Sequence, residues 1–299
     1  MANRIFYASH GVSIDDVTVT GAQSVSVNTN FELEQVFQLG RLAIYDNIQN
    51  DPDIEVTISK ILDGGNSIYN LATNGGGTLI DKANEQCNIV LGIGEDTDAV
   101  LSTTSAVTMT GMYLSSVNYT LPVDGFFTEE VSFLGSSKTV GGSVTAPAGN
   151  STPNIAARRQ NLSSTTVYPS DVSGKNISNI TVSADLGREK MYKLGQFSPF
   201  HRFVNFPLEI TVSFDVIGNE GDSVEASEIS TQCAGRDYDF ETITLEICDN
   251  EGNIDYVIDL KDKCVLSSVS YSGGDATGGN VTITYTYITY NDLEITDGA

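Results

Sequence analysis

The sequence has no tryptophan and few basic residues. Its 299 residues include 15 Lys or Arg against 39 Asp or Glu, which gives a net charge of −24. Binding nucleic acid or an anionic membrane requires cations that replace counterions. The charge therefore excludes a protein that holds either surface tightly. It is compatible with a need for solubility alone, and also with a surface past which DNA slides without sticking.

Catalytic signals are also scarce. The only histidines, His10 and His201, lie in different halves of the chain, and His201 lies in an aromatic segment with no positioned nucleophile nearby. The sequence lacks GxSxG, a phosphate loop, a dinucleotide fingerprint and HExxH. A carboxylate pair of the glycosidase type is compatible with the composition, but no acidic cluster favours it. We expect no enzyme, no cofactor and no bound metal.

Cysteine pairs and long apolar runs are missing as well. Cys87, Cys233, Cys248 and Cys264 show no CxxC spacing, which predicts reduced, packed thiols. No apolar run is long enough to cross a membrane, and residues 1–10 lack the apolar core of a signal peptide. We expect the protein to be made and folded in a cytoplasm, without a membrane partner.

What the sequence does contain is β-pattern. Thirteen Tyr and 28 Gly accompany many Thr, Val and Ile residues, and Val281–Tyr290 alternates most clearly. Ser67 is a good N-cap for a short helix at 67–72, and 223–233 predicts a second one. The predicted fold is mainly β: two tandem repeats of a β-sandwich or partly closed barrel, each with one short α-helix.

An internal repeat supports two such units. The stretch Ile54–Ser59 (IEVTIS) returns as Leu208–Ser213 (LEITVS). Residues 25–40 lie without a gap over 180–195, and 114–119 (LSSVNY) over 266–271 (LSSVSY). The three matches keep nearly one offset, so we interpret the chain as an internal duplication. The predicted domains are 1–135 and 176–299, with 136–175 between them.

The connecting segment is rich in Ser, Thr, Gly, Pro and Asn. At this length it predicts either a flexible tether or a functional arm. Its adjacent Arg158 and Arg159 suggest contact with an acidic surface such as a sister subunit, although a solvated linker with incidental arginines fits too.

Two segments, 40–52 and 195–207, break the strand pattern and are predicted to be exposed loops. They nevertheless carry large apolar side chains. Either they fold onto their own domain, or they bury these side chains against a neighbouring subunit. The candidate contact residues are Ile44, Tyr45, Ile48, Phe197, Phe200 and Phe203.

Acidic turns follow a strand in each half, at 95–98 and 249–253. The second is faintly similar to a calcium-binding EF-hand loop, but it lacks the Glu at position 12 and the flanking helices. Hairpin tips are the interpretation we favour.

The order of elements resembles the tail tube proteins of long-tailed bacteriophages. The stretches that carry this resemblance are Gln38–Arg41 followed by 54–59, Asp63–Gly64 leading into Ser67–Tyr69, Tyr119–Gly125, Val182–Glu189 and Phe206–Val212. The family's usual member has one such fold and stacks as hexameric rings. The duplication here departs from that pattern, and some phages resemble this chain in having a doubled tube fold. Three chains would then form a pseudo-hexameric ring.

The resemblance implies a structural virion protein of the phage tail, assembled in the host cytoplasm. Its partners would be further copies of itself and other tail proteins such as a terminator, baseplate or sheath. Neighbouring sheets would pair edge to edge, and DNA would pass through without specific binding. Residues on a polar sheet face, either in the lumen or outside, would be Glu55, Thr57, Ser59, Glu209, Thr211 and Ser213. The 40–52 and 195–207 loops and the 136–175 arm, with Arg158 and Arg159, would make ring-to-ring contacts.

Two other classes compete with this interpretation. A distal-tail or capsid decoration protein fits the β-duplication as well, and it would form single rings or monomers rather than filaments. A carbohydrate-binding β-sandwich is the other, although such modules often present an exposed Trp and this chain has none.

Overall fold

A computed structural model of the chain describes residues 10–73, 77–94, 103–141, 155–218, 240–273 and 281–297. The fold is mainly β, as predicted, with several sheets, none of which closes on itself among these residues. Its arrangement is that of a β-sandwich. Among the described residues, no helix is long and apolar enough to cross a membrane.

The described residues before 141, called the N-terminal half below, contain ten strands. They are β1 (His10–Ile14), β2 (Val17–Thr18), β3 (Ala22–Asn30), β4 (Leu33–Phe37), β5 (Ile44–Gln49), β6 (Asp53–Ile61), β7 (Cys87–Gly94), β8 (Thr103–Pro122), β9 (Thr128–Gly135) and β10 (Ser137–Val140). Two short helices, α1 (Ile68–Ala72) and α2 (Leu79–Lys82), lie between β6 and β7.

The described strands of the C-terminal half, from residue 155 onward, are β11 (Asn176–Asp185), β12 (Arg188–Met191), β13 (His201–Val204), β14 (Glu209–Ile217), β15 (Thr244–Cys248), β16 (Ile254–Asp259), β17 (Val265–Ser272), β18 (Thr282–Tyr290) and β19 (Glu294–Asp297). A 3₁₀ turn spans Arg159–Asn161. The predicted helix at 223–233 lies outside the described residues.

Eight of these strands form one antiparallel sheet that runs through both halves. Its order is β3-β6-β9-β8-β11-β14-β18-β17. The strands β3, β6, β9 and β8 come from the N-terminal half, and β11, β14, β18 and β17 follow the same path in the C-terminal half. The two groups are joined where β8 pairs with β11, from Asn179 opposite Pro122 to Asp185 opposite Ser116.

Smaller sheets cover the inner face of this large sheet. The N-terminal part of β8 pairs with β7 and β10, and β7 continues to β1 and β2. In the C-terminal half, β15, β16 and β19 form a separate three-stranded sheet. Alternating apolar side chains of the large sheet, such as Val56, Phe133, Val182 and Phe214, are buried in between. This burial of strand faces is the main source of stability.

The two segments predicted as loops instead form the arms of hairpins. β5 lies within 40–52 and pairs with β4, and β13 lies within 195–207 and pairs with β12. The prediction of loops was wrong because Gly and Asp were taken as breaks in the strand. Gly40 and Gly195 adopt positive φ angles at the hairpin tips, whereas Asp46 lies inside β5.

The connecting segment is ordered over its described parts. Residues 137–140 form β10, and residues 142–154 lie outside the described residues. From Ile155 onward the chain packs between the halves, because Ala157 N donates to Leu62 O and Ser163 N donates to Glu246 O. Ile155, Ala157 and Val172 are buried in the core.

The helix α1 begins at Ser67, as predicted, and Ser67 Oγ accepts a hydrogen bond from Asn70 N at 3.1 Å. A buried carboxylate, Glu129 on β9, completes the cap. It accepts from Ile68 N (2.8 Å), Tyr69 N (3.0 Å) and Tyr119 Oη (2.8 Å). Burial raises the pKa of Glu129, while the nearby Lys60 charge and these donors oppose that shift.

Three of the four cysteines lie in the described residues, and all three are free. Cys87 and Cys264 are buried, and burial raises the pKa of each thiol to about 12. Both thiols are therefore protonated and packed at neutral pH, in agreement with the prediction.

We expect Glu129→Gln to lower the free energy of unfolding by about 2–4 kcal/mol. The amide group turns a donor toward either a backbone N–H or the Tyr119 hydroxyl, so one buried donor loses its acceptor. Urea unfolding followed by far-UV circular dichroism measures the change. The control is Glu130→Gln, on the exposed face of the same strand, which should cost less than about 0.5 kcal/mol. Equal midpoints for both variants would contradict the capping role.

Candidate functional site

The outer side of the eight-stranded sheet, here called the polar face, is a broad surface of the described fold. Along β6, β11, β14 and β18 the side chains on this side alternate with buried ones, and strand register extends the same side over the other four strands. Most carry a hydroxyl or an amide. From one edge of the sheet to the other they are Ser24, Ser26, Asn28, Thr57, Ser59, Ser132, Ser116, Asn118, Thr120, Asn179, Thr181, Ser183, Thr211, Ser213, Thr284, Thr286, Ser268 and Ser270.

The charged side chains that the eight strands place on this face are all carboxylates. Its carboxylates are Asp53, Glu55, Glu130, Asp185, Glu209 and Asp215. The only Lys or Arg in the eight strands is Lys60, which is buried on the opposite side. Asp53 is paired with Lys190 and Arg202 of the β12–β13 hairpin, and the other five carboxylates give the face a negative potential, which repels phosphate groups.

Polar side chains on the face pair with one another. Thr57 and Ser132 hydroxyls lie 3.0 Å apart. Asp215 accepts from Thr284 Oγ1 at 2.6 Å and from Asn179 Nδ2 at 3.2 Å. A hydroxyl that is already hydrogen-bonded within the sheet has fewer donor and acceptor positions left for a ligand. The face is therefore hydrophilic but weakly adhesive.

The structure places all six predicted polar residues on this face, three on β6 and three on β14. Strand register gives a different correspondence between the β6 and β14 residues than sequence similarity does. Thr57 lies between Ser26 and Ser132, and Ser213 occupies the same place between Thr181 and Thr286. Sequence similarity had matched Thr57 with Thr211. A shift of two residues keeps every side chain on its face, so the predicted set is unaffected.

Sequence reasoning missed most of the face. Residues on β8 and β11, such as Asn118 and Ser183, lie at its centre, directly opposite each other. A groove over this junction is lined on β8, β11 and β14 by Ser116, Asn118, Ser183, Asp185, Glu209 and Thr211. The alternation of polar residues at 116–120 and 179–185 was the available signal. It does not reveal that the two strands are neighbours.

The hairpin β12–β13 folds back onto the N-terminal half through basic side chains. Arg202 and Lys190 both contact the Asp53 carboxylate, at 2.8 and 2.5 Å. Arg188 Nε donates to Leu114 O at 2.7 Å, and its guanidinium lies 4.9 Å from the centre of the Tyr113 ring. We call these contacts the basic clasp.

The clasp determines the ionisation of its carboxylate. Burial alone would raise the pKa of Asp53, but hydrogen bonds and charge from Lys190 and Arg202 lower it below its usual value. Burial also lowers the pKa of Arg188, to about 10, which leaves it charged at neutral pH.

Among the described residues, the corresponding hairpin of the N-terminal half makes no ion pair, and its strand β4 pairs with β5 alone. Every side chain of β5 is exposed. Exposed apolar residues along it are Leu33, Phe37, Leu39, Leu42, Ile44, Tyr45 and Ile48. On β12–β13 and its tip, Phe197, Phe200 and Phe203 are exposed as well, although Phe203 also stacks on His201 with ring centres 4.2 Å apart.

The two arginines of the connecting segment lie on the surface. Arg158 stacks over Phe126, with its guanidinium 4.2 Å from the ring centre, and Arg159 lies 3.7 Å from the exposed Asp124 carboxylate. An exposed pair of this kind contributes little to stability.

In the acidic turn at 249–253, donors from within the turn bind the Asp249 carboxylate. Asp249 accepts from Glu251 N, Asn253 N and Asn253 Nδ2, as expected for a hairpin tip. The other acidic turn, 95–98, lies outside the described residues. In the part of the chain that the structure describes, no three His, Cys, Asp or Glu side chains are grouped to hold a metal ion.

No protein-family model matches the sequence, and no curated protein matches it. Among solved structures, the chain is similar to the anti-feeding prophage cap, described as the cap that terminates the AFP tube. That match has 12% sequence identity and a TM-score of 0.38, and it covers 48% of this chain and 94% of the other. Similarity at this level indicates neither a shared fold nor a shared function.

We expect Asp53→Asn to loosen the basic clasp and to destabilise the fold by about 1–3 kcal/mol, because Lys190 and Arg202 lose their counter-charge. The pKa of Asp53 is lowered on folding, so its contribution exists at neutral pH and is lost as pH falls below about 4. Hydrogen exchange of β12 and β13 amides at pH 7 and pH 3 measures the effect. Protection of these strands that is equally pH-dependent in both proteins would contradict it.

Proposed function

We propose that this protein is a structural subunit of a phage tail tube, in which rings stack into a conduit and the polar face lines the lumen. The observation that carries the proposal is the polar face itself. It extends over eight strands of both halves, it carries carboxylates, and its strands supply no cation to it.

The chemistry of the face matches the task of letting DNA through. DNA is held mainly by Lys and Arg contacts to phosphate, with release of counterions. Side-chain amides and hydroxyls also contact phosphate, but on this face several of them bond to one another, as Thr57 does to Ser132. Carboxylates such as Glu55 and Glu130 add repulsion, which keeps a duplex away from the wall.

We further infer that the two halves are duplicated copies of one tube fold. Support comes from the shared strand order and from one irregularity. In β8 the pairing with β9 slips between Leu114 and Ser116, and in β17 the pairing with β18 slips between Leu266 and Ser268. Bulges at matching places in LSSV sequences favour common descent over chance. Three chains would then supply six folds to one ring.

In this proposal the protein has a non-catalytic role in the virion tail and is assembled in the host cytoplasm. It binds further copies of itself and other tail proteins such as a terminator, a baseplate or a sheath. DNA passes without specific recognition.

The proposal is tested by negative-stain electron microscopy of the purified protein over a concentration series. Hollow rings or tubes with threefold symmetry and a pore wide enough for a DNA duplex are expected. Rings without a pore, or closed single rings that never stack at any concentration or with added tail partners, would overturn the tube assignment.

We expect the double variant Glu55→Lys and Glu130→Lys to assemble as before but to retain duplex DNA at low salt. The change raises the net charge by about four per chain and places cations on the polar face. Co-sedimentation of assembled protein with a linear duplex at 50 and 300 mM salt measures retention. The matched control, Glu251→Lys with Asp262→Lys, has the same net charge but alters exposed residues away from the polar face. Equal DNA retention by both variants would show that the polar face is not in contact with the DNA path.

We also expect Phe200→Ser with Phe203→Ser to leave folded rings that fail to stack. The Phe200 and Phe203 side chains are exposed on the β12–β13 hairpin, and their aromatic groups pack edge to face with centres 6.5 Å apart. Their replacement therefore removes apolar contact area without opening the core. Electron microscopy separates rings from tubes, and circular dichroism checks the fold. Tubes of wild-type length from this variant would contradict the assignment of ring-to-ring contacts to these residues.

A further inference from the structure

The large sheet ends at two strands whose outer edges have no described partner. β3 forms one end and β17 the other. Neither strand contains a charged residue or a proline. Proteins usually protect exposed edges with Lys, Pro or bulges, because a long uncharged edge pairs with other chains. β17 has a bulge, but β8 has a bulge at the matching place and is nevertheless paired on both sides. The sequence of these edges indicates that each is paired in the working form of the protein.

The chain itself shows how such edges join. β8 is the strand of the N-terminal half at the junction, β11 is the strand of the C-terminal half there, and the two pair within the chain. β17 has the bulge and the LSSV sequence of β8, and β3 matches β11 without a gap. The β8–β11 junction is thus an internal precedent for a junction between β17 and β3 of another copy.

We propose that β17 pairs antiparallel with β3 of a second copy of this chain, in the register of the internal junction. Asn118 lies opposite Ser183 in the chain, so Ser270 lies opposite Asn28 of the partner subunit. In the same way, Ser272 lies opposite Ser26 of the partner subunit, and Ser268 lies opposite Asn30 of the partner subunit. Each of these side chains belongs to the polar face, which therefore continues from one copy to the next.

A second, independent observation comes from the hairpins. Inside the chain, β12–β13 follows β11 and packs through the basic clasp beside β8. Its counterpart β4–β5 follows β3 and pairs with no other strand of the described residues. Opposite it in the proposed junction lies an open groove of about 350 Å³ next to β17, lined by Phe240, Lys263, Val265, Ile288, Tyr290 and Asp292. Val265 takes the place that Tyr113 holds under the clasp.

Compared with the internal junction, the residues on both sides of the proposed contact differ, and the two sets of differences are complementary. Arg188 over the Tyr113 ring is replaced by Leu33 over Val265, which exchanges a cation–π contact for an apolar one.

The second pair of contacts changes in the same way. Lys190 and Arg202, which bind Asp53, are replaced by Gln35 and Asn47, and Asp53 is replaced by Glu209. The side-chain amides of Gln35 and Asn47 are suitable hydrogen-bond donors to the Glu209 carboxylate. The hairpin side chain Leu33, which is 65% exposed, thereby gains an apolar partner.

This interface rests on the proposed function in one respect, namely that copies assemble into a ring. It adds which edges meet, in what register, and that the β4–β5 hairpin is used within the ring. The hairpin tip, with Leu39 and Leu42, remains outside the interface.

The register is tested with full-length protein carrying Asn28→Cys and Ser270→Cys. Opposite residues in an antiparallel pair have Cα atoms about 4.5–5.5 Å apart, which a disulfide can span. On mild oxidation of the assembled protein we expect intermolecular disulfides in most chains, seen as dimers and trimers on non-reducing gels. The control pairs Ser24→Cys with Ser270→Cys, which the register separates by roughly 14 Å and which should not cross-link.

The outcomes separate this interface from the proposed function. Rings or tubes that form without the Asn28–Ser270 cross-link, or with the control cross-link instead, overturn the register and leave the tube proposal intact. Cross-linked closed rings that never stack support the interface and count against the tube. Protein that neither cross-links nor oligomerises at any concentration overturns the interface.

Leu33→Asp tests the hairpin contact. It should leave a folded monomer, since Leu33 is exposed, and it should weaken oligomerisation roughly ten- to hundredfold by light scattering. The matched control is Leu42→Asp on the tip of the same hairpin, which should leave ring formation unchanged. Equal oligomerisation of Leu33→Asp and wild type would exclude the groove as the docking site of the hairpin.

Discussion

Antiparallel pairing between β8 and β11 is the interaction on which the rest of the molecule depends. Without it the chain would be two four-stranded sheets with a long connection, and the polar face would be divided in two. With it, Ser116, Asn118 and Thr120 lie beside Asp185, Ser183 and Thr181, and the face is continuous. Sheet pairing thus fixes the angle between the halves through directional hydrogen bonds rather than through apolar contact alone.

The back of the molecule reinforces this junction with polar contacts that also cross between the halves. Ser67 N donates to Asp297 Oδ2, Asn70 Nδ2 donates to Ile295 O, and the Tyr256 hydroxyl donates to Gly65 O. All lie near the cap of α1, where Glu129 and Lys60 are buried. Because unsatisfied buried groups are costly, these bonds hold the halves in one arrangement. A rigid chain suits a ring, since each small error in angle would accumulate around it.

The sequence predicted the strands well where side chains alternate, as in β6, β14 and β18, and it predicted the start of α1 from Ser67. It failed at β5 and β13, because apolar and polar residues do not alternate in the sequences of these two short strands. The six predicted polar residues are on one face because period-two alternation needs only one chain segment. The basic clasp was not predictable, because Asp53 and Arg202 are brought together only by the β8–β11 junction.

In the proposed ring, the chemical difference between the two hairpins determines which sheet edge each hairpin can contact. If the halves were identical, the β12–β13 contact inside a chain and the β4–β5 contact between chains would be interchangeable, and chains could join in several arrangements. Here the contact within the chain uses Arg and Lys against Asp53, whereas the proposed contact between chains uses Leu33 and amides against Val265 and Glu209. A basic hairpin would place unpaired cations in the apolar groove, and Leu33 would leave Asp53 unpaired. Such mismatches disfavour wrong partners, so in the proposed ring the chemical difference between the two hairpins gives each edge its own partner.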